Sequence, residues 1–221
     1  MSFGQIALGL AGIVVGLRQI KQGAERIRTA KPESTRRNTP KFSSGTNLGQ
    51  LRLRTHKIRN LDDRITHLRA LVEQGKRSPE VYAFARQAVS ARCGDRWCVP
   101  EKDNLAEAKA LFDAVRKRVR YTSDIAGIDS YQHPRRTLQF ATGDCDDYST
   151  LACSAAASLG MPCRFKVIRT KDSDTWNHIY AQIGFPRRAP TRWVSFDASV
   201  PMPFGWEAPP SLVAASRVFP T

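Results

Sequence analysis

Residues 144–159 place the tightest constraint on what this chain can fold into. Apolar side chains recur there at Tyr148, Leu151, Ala152, Ala155, Ala156 and Leu159, a helical period. The stripe is mostly alanine, so the helix it predicts lies very close to another element and reads as buried and central. It opens near Asp144, and Gly160 and Pro162 end it. Beyond Pro162 the period switches to two. RFKVI (164–168), HIYAQI (178–183) and RWVSFD (192–197) read as strands. Three further helices are predicted upstream. Asn60 caps the first, which carries Leu61, Ile65, Leu68 and Val72 and ends at Gly75; Ser78-Pro79 starts the second; Asn104 caps the third, with Leu111, Phe112 and Val115 on its apolar face. Residues 121–143 read as irregular, and the Pro-rich tail as a surface wrap. Helices first and antiparallel strands after them make an α+β fold.

Charge divides the chain further. Of its 221 residues, 35 are Lys or Arg and 20 are Asp or Glu, a net charge of +15. Residues 1–60 hold 12 of the basic residues and 2 of the acids, so most of the excess sits in the first quarter. Residues 1–20 read as an apolar anchor or docking helix, 21–59 as a basic flexible linker, and 60–221 as the folded domain, with its core at 105–207. The uncharged run 2–17 is shorter than the ~20 residues a membrane span needs, so membrane anchoring is the weaker alternative to docking on a partner. No basic region precedes that run, so no secretory signal is read and the default compartment is cytoplasmic, with reduced thiols. Residues 18–60 also suit an anionic surface or a nucleic acid, although few aromatics are interleaved for stacking.

The chemistry centres on Cys145, His178 and Asp197. Cys145 falls at the start of the central helix, where free N–H groups and the helix dipole favour a thiolate. With Ile183 set opposite Arg192 across the connection GFPRRAPT, His178 falls opposite Asp197, within a residue of register. A carboxylate there orients the imidazole, and a nucleophile completes a triad. The alternative for each residue is ordinary: a buried structural Cys and a chance cross-strand pair. Gln139 is a candidate second oxyanion donor beside the Cys145 backbone N–H, with an ordinary loop Gln as the alternative. Trp176, Tyr180 and Trp193 are candidates to line a substrate groove, with core packing as the alternative. Asp144, Asp146 and Asp147 suit helix capping better than a metal site, and would raise the thiol pKa unless they point away. Neither metal nor cofactor is expected. Of five cysteines at least one is unpaired within the chain; Cys93 and Cys98 suit a small disulfide or half a zinc site, and Cys153 and Cys163 suit buried structural thiols.

The segments GDCDDYSTL, NHIYAQI and WVSFDAS occur in that order and resemble the transglutaminase-like superfamily over residues 105–207. VRYTSD and PRRTL upstream also fit. The resemblance implies a papain-like core, with the Cys on a helix packed against an antiparallel sheet. It sets the family's nucleophile on Cys145, its base on His178 and its acid on Asp197. It also implies a cysteine-dependent acyl-transfer enzyme acting on a protein or peptide substrate, most often as a protease or amidase. The whole string, with PFGWE (203–207), is similar to phage-encoded bacterial members. That similarity implies a virion-associated alternative: an idle structural protein that meets other subunits of a tail-like assembly through residues 1–20.

Overall fold

The computed structural model describes residues 58–125 and 129–221. All of them belong to one unit, His56–Thr221. The apolar segment 1–20 and nearly all of the linker 21–59 lie outside the described residues.

Helix α1 (Leu61–Gly75) starts as the sequence predicts, with Asn60 Oδ1 accepting from the Asp63 N–H at 2.9 Å. It buries Ile65, Leu68, Leu71 and Val72. Helix α2 (Pro79–Val89) carries its proline in the first turn, where no N–H is missed. Strands β1 (Arg92–Cys93) and β2 (Arg96–Trp97) form a small hairpin, closed by a Cys93–Cys98 disulfide. Helix α3 (Asn104–Arg118) is capped by Asp103, one residue earlier than expected, through an acceptor for the Ala106 N–H at 2.9 Å.

Residues 121–143 are more ordered than the sequence suggests. Strand β3 (Arg120–Tyr121) runs parallel to β4 (Thr142–Gly143), with helix α4 (Pro134–Phe140) between them. Pro134 fixes the first turn of α4 and left-handed Ala141 (φ 56°) ends it. Seven residues are too few for a helical period to show.

Helix α5 (Cys145–Ser158) is the centre of the domain. Every residue from Cys145 to Ala156 is buried, so α5 is enclosed on all sides rather than along one stripe. Helices α1 to α4 pack around it, and on the other side it lies on the sheet. The sheet comprises β5 (Cys163–Thr170), β6 (His178–Phe185), β7 (Arg192–Phe196) and β8 (Val213–Pro220), in the order β7-β6-β5-β8 with antiparallel neighbours. The fold is α+β, helices first and antiparallel sheet after. Phe112 of α3 and Phe196 of β7 meet edge to face at 5.3 Å, and Phe204 packs on both, tying the helices to the sheet and to the segment after it.

Further expectations need correction, beginning with the Pro-rich tail, whose end is strand β8 of the sheet rather than a surface wrap. Cys153 and Cys163 are not free thiols: they form a disulfide between α5 and the start of β5. The β6–β7 register also differs by two residues. Ile183 faces Val194, and Phe185 faces Arg192. A shift of two keeps every side chain on its face. His178 and Asp197 therefore become diagonal rather than opposite neighbours, still within reach of long side chains.

Candidate active site

The site is assembled where the start of α5 meets the start of β6. Asp144 is the N-cap of α5, and its Oδ1 accepts from the N–H groups of Asp146 (3.0 Å) and Asp147 (3.4 Å). The Asp147 side chain returns to the Asp144 N–H, completing a capping box. Gly143 is required just before it: a Cβ there would meet the Asp147 Cβ at 2.6 Å. This local chemistry fixes Cys145 as the first residue of a buried helix.

Ser149, one turn on, ties that end of the helix to β6. Its hydroxyl lies 2.7 Å from the Cys145 carbonyl and 3.1 Å from the Ile179 carbonyl. The Ile179 N–H, next to His178, bonds to the Cys145 thiol. Cys145 and the His178 backbone are thereby held side by side. His178 Nε2 lies 2.7 Å from Asp197 Oδ2. Asp197 is 6 % exposed, and its other oxygen accepts from the Ser199 hydroxyl at 2.7 Å and the Ser199 N–H at 3.3 Å.

The electrostatics follow from burial and charge. Burial pulls the His178 pKa down, but Asp197, with smaller help from Asp146 and Asp144, raises it above the ordinary imidazole value. Burial pushes the Asp197 carboxyl up, and pairing with His178 and Ser199 more than reverses this, so it stays ionised. Burial pushes the Cys145 thiol well up, and Asp146 and Asp144 add to that, while Arg64 and the Ile179 N–H oppose it. The helix start alone therefore does not produce a standing thiolate. Burial and the neighbouring acids also raise the Asp144 carboxyl to about 7.

Donor atoms of Asp144, Cys145 and Asp146 lie within 4.8 Å of one another. Their present roles differ: Asp144 caps the helix, Asp146 pairs with Arg64 and Cys145 is bonded by Ile179, so they do not read as a ligand set. Among the described residues, Cys145 is the free cysteine.

Of the remaining expected residues, Tyr180 neighbours the His178 ring, whereas Gln139 and Trp193 make their contacts elsewhere. Gln139 is exposed on α4, where it accepts from Arg136 Nη1 at 3.2 Å. Gln132 is the glutamine tied to the first turn of α5. Its backbone N–H and its Nε2 reach the Asp147 carboxylate at 2.8 and 2.7 Å. Tyr180 is 3 % exposed, too buried to line a groove, and its ring lies beside that of His178 at 5.8 Å. Trp193 is half-buried under Arg164, whose guanidinium carbon is 4.2 Å from the ring centroid. Trp176 is half-buried against the core. Arg64 of α1 and Gln132 are the neighbours of the site that sequence reasoning missed.

The model of the transglutaminase-like superfamily matches residues 73–198, which contain Cys145, His178 and Asp197. Among solved structures, a candidate cysteine protease from Cytophaga hutchinsonii is 17 % identical, with a TM-score of 0.43; the match covers 70 % of this chain and 52 % of that one. A TGase structure is 16 % identical, with a TM-score of 0.35; the match covers 64 % of this chain and 34 % of that one. The chain thus spans about half the length of the first of these and a third of the second. No curated protein matches it. A family-model match over more than half of its residues makes this chain a member of the transglutaminase-like superfamily.

Proposed function

We propose that the domain is a cysteine-dependent acyl-transfer enzyme that cleaves peptide or carboxamide bonds as a protease or amidase. Cys145 is the nucleophile, His178 the general base and Asp197 the group that orients it. The observation that carries this reading is the 2.7 Å His178–Asp197 pair, on a strand that Ser149 ties through the Ile179 carbonyl to the helix start bearing the free Cys145.

In this reading Asp197 occupies His178 Nε2, leaving Nδ1 to take the thiol proton. The Cys145 sulfur then bonds to the substrate carbonyl carbon, and the carbonyl electron pair moves to oxygen. The Cys145 backbone N–H supports that oxyanion. Collapse breaks the C–N bond, and the amine leaves with the proton from Nδ1. Water attacks the thioester and gives a proton to His178. The C–S bond breaks, the acid departs and the sulfur is reprotonated. An amine in place of water would give cross-linking by the same steps. The raised His178 pKa suits a base that accepts its proton as attack begins.

The test is intact mass after incubation with a peptidyl electrophile, with release of amine from peptide amides as the turnover assay. The wild type is expected to gain one adduct and Cys145→Ala none, with turnover lost as well. An adduct that persists in Cys145→Ala overturns the assignment.

One observation favours a second reading, in which the scaffold is idle and structural. Cys145 is 8 % exposed, and burial, with Asp146 and Asp144, pushes its thiol pKa well up. A folded wild type that forms no adduct would support that reading. A virion-associated role through residues 1–20, with the basic linker on an anionic surface, belongs to it. Deleting residues 1–60 should then abolish incorporation into the assembly, while Cys145→Ala leaves incorporation intact.

A further inference from the structure

Asp146 follows Cys145 directly, is 1 % exposed and acts against ionisation of the thiol. Its counter-charge comes from Arg64, 82 residues earlier, whose Nη2 contacts Asp146 Oδ2. Arg64 lies in α1, ahead of the region 73–198 that the family model matches. Its guanidinium is placed by Tyr131, with the ring centroid 5.9 Å away, and Tyr131 is braced edge to face by His67 at 5.3 Å. Arg64 Nε and Asp146 Oδ1 are both buried without a hydrogen-bond partner, and a buried ion pair contributes little unless its remaining polar atoms are satisfied.

We propose that Arg64 is a positioning residue of the Cys145 site: it pairs with Asp146 and supplies the positive charge that offsets this carboxylate next to the sulfur. The role is tied to the catalytic reading of Cys145 given above. The charged and polar groups facing the sulfur are Asp144 and Asp146 from the start of α5, Arg64 from α1, Tyr121 from β3 and the Ile179 N–H from β6. His178 stands on β6 within the field of the same two carboxylates. Arg64 is the permanent positive charge among the groups that act most strongly on the thiol. With it in place, the pair Arg64–Asp146 is neutral and Asp144 remains. Without it, the thiol loses the positive charge that opposes Asp146 and Asp144.

The test is the pH profile of Cys145 alkylation by iodoacetamide in the full chain, read by intact mass without reductant, so that the disulfide cysteines stay silent. Arg64→Met is expected to slow alkylation near pH 7.5 by about tenfold, through a rise of the profile midpoint. Arg64→Lys should stay within about threefold of wild type, and Asp146→Asn should be about tenfold faster. The double variant Arg64→Met with Asp146→Asn removes both charges and should return close to wild type. If Arg64→Met does not fold, Asp146→Asn and the double variant decide. Asp146→Asn no faster than wild type overturns the proposal, as does an Arg64→Met profile that superimposes on the wild type. If the alkylation profiles obey these signs but no amide is ever cleaved, the enzymatic reading fails and the Arg64 assignment stands. If amide cleavage needs Cys145 but the profiles coincide, the Arg64 assignment fails alone.

Discussion

Asp197 uses both of its oxygens, Oδ2 on the His178 ring and Oδ1 on Ser199. An asparagine there keeps the shape but loses the charge that holds imidazolium and fixes the tautomer. Asp197→Asn is expected to lower kcat by on the order of 10³–10⁴-fold, with the thermal midpoint near that of wild type. Amide turnover measured beside a melting curve checks this; an active variant would show that His178 is oriented by something else. The positions of Cys145, His178 and Asp197 were legible because each is marked locally, by a helix start or a strand end. Arg64 and Gln132 were not, because what makes them neighbours of the site is a tertiary contact. No local pattern links Arg64 to an acid 82 residues away, and Gln132 sits in a stretch with no period to read.

Helix α5 and strand β5 are joined by a covalent tie that the sequence pattern did not reveal. Cys153 lies inside the helix and Cys163 opens the strand, ten residues apart around the Gly160 turn. Spacing alone does not say that a mid-helix thiol faces the strand that follows. With both disulfides formed, alkylation of the unreduced, denatured chain should add one group, and alkylation after reduction five. Replacing both Cys153 and Cys163 by Ala should cost roughly 2–3 kcal/mol in denaturant unfolding. Five adducts without reductant would mean that the bonds are absent. Strand β8 escaped the sequence reading for a related reason. In VAASRVFP only Phe219 is buried, so there is no alternation to detect, and the strand exists because β5 offers it an edge. The β6–β7 register was missed by two residues because it depends on which residues close the hairpin, whereas the buried face depends only on parity. That is why the His178–Asp197 pairing survives the error.

The chain carries a net charge of +15, yet the start of its central helix gathers carboxylates, and this sets how the whole domain responds to pH. Burial first, then neighbouring acids, holds Asp144 up at about 7, and burial holds Asp147 up at about 6 despite its bonds from Gln132. In the unfolded chain both titrate near ~3.9. Between these limits the folded state binds more protons than the unfolded one, so stability falls as pH rises through the window from about 4 to 7. His178 acts in the same direction. Its folded pKa is raised, so its contribution is complete below about 6.5 and is lost as pH climbs through the folded value. Asp197 is lowered, so its contribution is lost only as pH falls through its folded value, in acid. The thermal midpoint should therefore decline from about pH 5.5 to about pH 8. Asp144→Asn keeps a good N-cap while removing one titrating group, and should flatten that decline. A wild-type midpoint that rises over this range, or an Asp144→Asn curve of unchanged slope, would contradict the argument. The same carboxylates oppose ionisation of Cys145. A site that reacts faster at higher pH thus sits in a domain that becomes less stable there, and melting and alkylation profiles taken on one sample should cross in opposite directions.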